Sequence, residues 1–151
     1  MNIPELFEEI IQYSHFWNWS PDWQVAKDIY TSFPNSYSVL TPFAYSYLEE
    51  LIRTTTSEYG IEILREDGTP KKRKVGVNLI NLALEENKDK SQEFLSLLEE
   101  LKGYFSFSTK FDSDDNRNSV LHGYMHSRFW SDKSFEKLLS DIARMSKFAN
   151  F

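Results

Sequence analysis

Arg117, Asn118 and His122 bring together an arginine, an amide and an imidazole within six positions. They frame the segment Arg117-Asn118-Ser119-Val120-Leu121-His122-Gly123. An arginine fork holds a phosphate through two hydrogen bonds and keeps its charge at any working pH. A histidine titrates near neutrality, so it can take a proton from one oxygen or give one to another. Cleavage of RNA needs both services: a base to activate the 2′-hydroxyl and a cation to stabilise the phosphorane-like transition state. Asn118 and His122 share a helix face at i, i+4 spacing. Arg117 lies ~140° round an ideal helix from His122, since each residue turns ~100°. The pair therefore converges only if Arg117 curls back from a frayed first turn or a second subunit brings its own copy. Gly123 would let another backbone approach closely. Asp112, Asp114 and Asp115 precede Arg117 and discourage phosphate unless they cap the helix or point away. The plainer alternative pairs Arg117 with that acidic loop and buries His122 against a backbone carbonyl.

Other residues offer weaker chemistry. His122 and His126 stand at the spacing by which two helical histidines share a zinc ion. The intervening Gly123, Tyr124 and Met125 lack the glutamate of the usual hydrolytic version, so no metal and no cofactor is expected. His126 is read as a helper beside the motif or a surface residue, and His15 as structural. Lys71-Lys72-Arg73-Lys74 has the form of a basic import signal, of a solvated loop, or of a loop that touches phosphate. The solvated loop is favoured, with phosphate contact second. Together with Arg128 this cluster is the best candidate for holding RNA outside a catalytic centre. Trp17, Trp19, Trp23, Phe129 and Trp130 could stack on unpaired bases, but core and interface anchoring is the commoner use of such residues. Phe129 and Trp130 are expected at an interface because they follow the motif directly.

Composition narrows the field. The chain has 151 residues, which suits one domain with a core that needs no staples. Hydrophobic residues are 40% and aromatics 16%, ample material for that core. There is no cysteine, hence no disulfide and no thiolate metal site. The net charge of -6 and pI near 5.1 argue against broad capture of polyanions, though a local basic patch could engage phosphate. The opening Met1-Asn2-Ile3-Pro4-Glu5 lacks a basic and then apolar run, and no stretch approaches the ~20 apolar residues of a membrane span. A soluble, cytoplasmic protein with no membrane partner is expected.

The elements that must position the motif read as helices. Pro4 suits a first turn, and Leu6, Phe7, Ile10, Ile11 and Tyr13 follow at helical spacing, with an end near His15-Phe16-Trp17. Ser20-Pro21-Asp22 reads as a cap plus proline, opening a helix with Trp23, Ala26, Ile29 and Tyr30 at helical spacing; Phe33-Pro34-Asn35-Ser36 closes it. Thr41-Pro42 is expected to start a third helix, with Phe43, Tyr47, Leu48, Leu51 and Ile52 inward and Glu49, Glu50 and Arg53 outside. Gly60 is expected to stop it. Residues 61–74 break the pattern around Glu66-Asp67-Gly68-Thr69-Pro70 and read as an exposed loop or short hairpin. Residues 75–84 are apolar nearly all round, which suggests a central buried helix. Residues 91–105 follow with Phe94, Leu95, Leu98 and Leu101 inward. After a polar loop over residues 107–116 comes a short helix carrying the motif. Ser131-Asp132 then caps a last helix striped with Phe135, Leu138, Leu139, Ile142 and Met145. The fold class is all-α, a single-domain bundle of about six to seven helices with an irregular or hairpin insertion near residues 61–74.

The motif resembles that of the HEPN domain superfamily: Arg, a polar residue, several variable positions, then His, here opening with Arg117-Asn118 and closing with His122-Gly123. The motif's place late in a helical chain, ahead of a final helix, is also similar. The resemblance covers roughly residues 41–148 and leaves residues 1–40 as an added helical extension. It implies a metal-independent endoribonuclease acting as a homodimer with the motifs facing across the interface. On that resemblance Arg117 would bind the scissile phosphate, His122 would transfer the proton and Asn118 would orient one of them. It also implies RNA as substrate and a setting in bacterial conflict, as a toxin with an antitoxin protein or as a phage-defence effector. The rival expectation is a non-catalytic dimeric module of the same fold that holds a protein or a nucleotide.

Overall fold

The structure is a computed structural model and describes residues 1–105 and 131–151. Among the described residues the chain is an all-α bundle of six helices and two short 3-10 turns, with no strand. The helices are α1 (Ile3–Tyr13), α2 (Ser20–Ser32), α3 (Tyr37–Thr54), α4 (Gly76–Glu86), α5 (Gln92–Leu101) and α6 (Asp132–Ser146). None of them is long and apolar enough to cross a membrane.

The first helix is fixed at its start by a reciprocal pair. The Asn2 side chain accepts the Glu5 N–H at 3.0 Å and the Glu5 carboxylate accepts the Asn2 N–H at 2.9 Å, satisfying two donors that an open helix end leaves unpaired. Leu6, Phe7 and Ile10 are buried, as their spacing predicts. The helix stops at Tyr13, earlier than expected, because the Ser14 hydroxyl and N–H turn back onto carbonyls of its last turn. In α2, Ser20 is the first helical residue and Trp19 occupies the cap position, so the expected serine cap is absent.

Three further boundaries differ from the sequence reading. α3 begins at Tyr37, directly after the 3-10 turn Pro34–Ser36, and Pro42 lies inside it. A proline there removes one helical N–H; the helix continues past it, with the Thr41 hydroxyl donating to the Tyr37 carbonyl at 2.6 Å. The division at residue 40 thus falls within α3. At the other end, α3 closes at Thr54 and Gly60 is not its stop. The hydroxyls of Thr54, Thr55 and Thr56 donate to the carbonyls of Leu51, Ile52 and Arg53, taking up acceptors of the final turn. Gly60, at φ +70°, instead turns the chain into the insertion.

Helix α3 is the centre of the bundle. It packs on α6 and on α4, while α1 packs on α6 and α2. An aromatic cluster joins α2 to the bundle: Trp23 lies 5.9 Å from Phe7 of α1, 4.9 Å from Phe43 and 5.1 Å from Tyr47 of α3, and Tyr30 meets Phe135 of α6 at 5.9 Å. Residues 1–40 therefore share one core with the rest. Contrary to expectation, Glu49 and Arg53 are not outside: each is only 8% exposed. The expected central helix over residues 75–84 is also corrected. It is α4, which starts after Val75, buries Leu79, Ile80 and Ala83, and leaves Val77 exposed, as is Val75 ahead of it. The stripe of α6 is as expected, every one of its five apolar residues being buried.

Candidate functional site

Arg117, Asn118, His122, His126 and Arg128 lie outside the described residues, as do Asp112, Asp114, Asp115, Phe129 and Trp130. The described residues form the frame that holds the two ends of that segment. Before it, the 3-10 turn Lys102–Phe105 continues α5 and buries Tyr104 and Phe105. The Tyr104 hydroxyl donates to Asp141 Oδ2 of α6 at 2.6 Å. Lys137 Nζ donates to the Tyr104 oxygen at 2.9 Å and to Asp141 Oδ2 at 3.1 Å, and stands 4.5 Å over the tyrosine ring. Arg144 donates to Asp141 Oδ1 at 3.0 Å and to Glu100 Oε2 at 2.8 Å.

Asp141 is thus held on both oxygens, which offsets the cost of burying its charge. The Arg144 guanidinium, hydrogen-bonded to Glu100, holds that carboxyl below the usual carboxylate range. After the segment, the chain re-enters at Ser131, whose hydroxyl accepts the Ser134 N–H at 3.0 Å and caps α6 as its position predicts. Lys137 lies six residues beyond Ser131, or about 9 Å along the helix axis. The segment therefore departs against the middle of α6, at Lys137 and Asp141, and returns at the helix's first turn.

The basic cluster is within the described residues and belongs to a short arm. Leu64 and Pro70 pair across it in a single antiparallel bridge. Lys71 N–H donates to Ile63 O at 2.7 Å and Arg65 N–H to Thr69 O at 2.8 Å. At the tip Gly68 adopts φ +80°, a turn that favours glycine, and the Asp67 carboxylate accepts from the Thr69 hydroxyl and N–H, which holds its pKa down. The arm is the exposed hairpin-like insertion that the turn residues predict.

Its base is locked to α3. Arg53 Nη2 donates to the Lys74 carbonyl at 3.0 Å, and the Lys74 N–H donates to Glu58 Oε2 at 2.9 Å. Arg53 in turn meets Glu49 at 3.3 Å and Glu50 at 3.2 Å. Arg73 donates to the Ile61 carbonyl at 2.8 Å, across the arm. The side chains of Lys71, Lys72 and Lys74 make no hydrogen bond or ion pair among the described residues. Sequence reasoning missed the roles of Arg53 and Glu58. The available signal was that Glu49 and Arg53, at i, i+4 spacing, interrupt a helix whose neighbours Leu48, Leu51 and Ile52 are all apolar.

A cleft of about 510 Å³ among the described residues brings together none of the expected site residues. Phe94 and Phe148, stacked at 4.8 Å, form part of its wall. Asn87 lines it too, its amide already donating to the Thr55 and Ala83 carbonyls. His15 builds the turn between α1 and α2: its Nδ1 accepts the N–H groups of Trp17 and Asn18 at 3.2 and 3.3 Å, and its ring stacks on Phe16. Trp19 and Trp23 are core anchors, whereas Phe16 and Trp17 are 77% and 76% exposed. Neither a family model nor a curated protein nor a solved structure matches this chain.

Proposed function

We propose that this chain is a metal-independent endoribonuclease of the HEPN type, acting as a homodimer on RNA. The single observation that carries the reading is the segment from Arg117-Asn118 to His122-Gly123, set ahead of the last helix of an all-α chain. In this reading His122 takes the proton of a 2′-hydroxyl, whose oxygen attacks the adjacent phosphorus. The bond to the 5′-oxygen breaks, leaving a 2′,3′-cyclic phosphate and a 5′-hydroxyl that receives a proton. Arg117 balances the charge that grows on the phosphoryl oxygens, and Asn118 orients one of the two. Two copies facing each other supply two histidines, one as base and one as acid. A bacterial toxin or phage-defence effector working in the cytoplasm, with RNA as substrate and an antitoxin as possible regulator, is the setting this reading carries.

The rival is a non-catalytic binding module of the same fold. The net charge of -6 and the run Asp112, Asp114 and Asp115 just ahead of Arg117 favour it. The discriminating experiment is RNA cleavage by the purified chain in EDTA, alongside Arg117→Ala and His122→Ala variants shown to be folded. Cyclic-phosphate products that disappear in both variants support the enzyme. A folded wild type inert on single strands, structured RNA and tRNA supports the rival.

A further inference from the structure

The arm is the part of the described structure where positive charge collects. Residues 61–74 carry Arg65, Lys71, Lys72, Arg73 and Lys74 against Glu62, Glu66 and Asp67, a local charge of +2 in a chain of -6. Its backbone is already tied down by the hydrogen bonds of Lys74 with Arg53 and Glu58 and of Lys71 with Ile63. A ligand docking on it would pay little for ordering the chain. Lys74 also lines a groove of about 330 Å³ that runs along α4 between Asn78, Asn81, Leu82 and Glu85. Positions 78, 81, 82 and 85 recur at helical spacing and Lys74 stands just ahead of the helix, so the groove runs from the end of the basic cluster along one face of α4.

Each residue type sets a requirement on the occupant. Lysines ask for anions. Each asparagine amide offers both a donor and an acceptor, a pattern that a base edge matches. Leu82 offers an apolar contact between the two amides and Glu85. Base edges are available for such contacts in single strands, where they are not paired.

We propose that the basic edge of the arm and the outer face of α4 form a docking site for single-stranded RNA, with Lys71, Lys72 and Lys74 on phosphates and Asn78 and Asn81 on base edges. Glu85 closes the site at its far end. Arg73 serves the arm itself through Ile61. This inference rests on the ribonuclease reading for its choice of RNA, but its test reads binding and not cleavage.

Fluorescence anisotropy of a short labelled oligoadenylate, titrated with the full chain in EDTA, measures the site directly. Lys71→Glu/Lys72→Glu is expected to weaken binding roughly tenfold and to flatten the salt dependence, by ~0.7 in the log–log slope for each phosphate no longer neutralised. Asn78→Ala/Asn81→Ala is expected to weaken binding severalfold and leave the slope unchanged. All four positions are exposed, so both variants should keep the wild-type circular dichroism and melting temperature. Unchanged affinity in both variants overturns the proposal, as does displacement of the RNA by equimolar polyglutamate. Binding that depends on these residues in a chain that cleaves nothing supports the docking site and overturns only the ribonuclease. Cleavage with an unaltered KM in both variants does the reverse.

Discussion

Helix α3 carries Glu49 and Arg53 into the interior, while α4, with hardly a charge until its last turn, shows Val77 to solvent. The difference lies in what surrounds each helix. α3 meets α6, α4 and the aromatic side chains of Trp19 and Trp23, and its polar Thr41, Glu49, Arg53 and Thr54 are covered. α4 meets α3, α5 and the turn Lys102–Phe105, and one face suffices for them. Burial follows from which faces of a helix its neighbours cover, and hydropathy only limits which residues can bear it. The charges inside α3 are tolerated because they are paired and because Arg53 also reaches a backbone carbonyl of the arm.

The largest effect should come from the buried pair. Arg53→Ala leaves Glu49 in the interior with one partner fewer and unties the arm at Lys74. A loss of about 3–5 kcal/mol in urea unfolding is expected. A loss below about 1 kcal/mol would mean that the pair is not what holds this part of α3. The contrast between the two helices is sharpened next by a matched pair of substitutions. Leu51→Ala, at a position with no exposure, should cost about 2–5 kcal/mol. Val77→Lys, 37% exposed in the wild type, should stay within about 0.5 kcal/mol. Equal costs in thermal or chemical unfolding would break the comparison, by showing that the outer face of α4 is covered after all.

The smallest expected effect is on pH dependence and comes from exposed pairs of α6 and the residues after it. Arg144 lowers the pKa of Glu100 through their hydrogen bond, so this pair stabilises the fold above the ordinary glutamate value. That contribution disappears as pH falls through the lowered value. Glu9 raises the pKa of Lys147 through theirs, so that pair stabilises below the ordinary lysine value and is lost as pH rises through the raised one. Melting temperature should thus be flat at neutrality and decline at both ends. Glu100→Gln should flatten only part of the acid decline, and less so in high salt. An acid limb identical to wild type would remove Glu100 from the account.

Much of the fold is legible in the residues. Leu6, Phe7 and Ile10 mark α1, and Ser131 with the five-residue stripe marks α6, because a 3.6-residue period and a cap serine are local properties. The turn at Asp67-Gly68 is equally local. The start of α3 was not legible, since Pro42 reads as a beginning, while the structure begins the helix at Tyr37 on the preceding 3-10 turn. Nor could spacing show that the Thr54–Thr56 hydroxyls close that helix ahead of Gly60.

The candidate site divides in the same way. The residue types are properties of the chain before it folds: an arginine, an asparagine and a histidine at motif spacing, four consecutive cations, and an apolar stripe for each helix. Only the tertiary structure decided which cations are engaged, because the partners of Arg53, Arg73 and the Lys74 backbone come from segments distant in the chain. It also decided that the ends of the motif-bearing segment are fixed against α6, through Tyr104 and Asp141, which are 37 residues apart. Such pairings depend on where helices pack, and no local period encodes that.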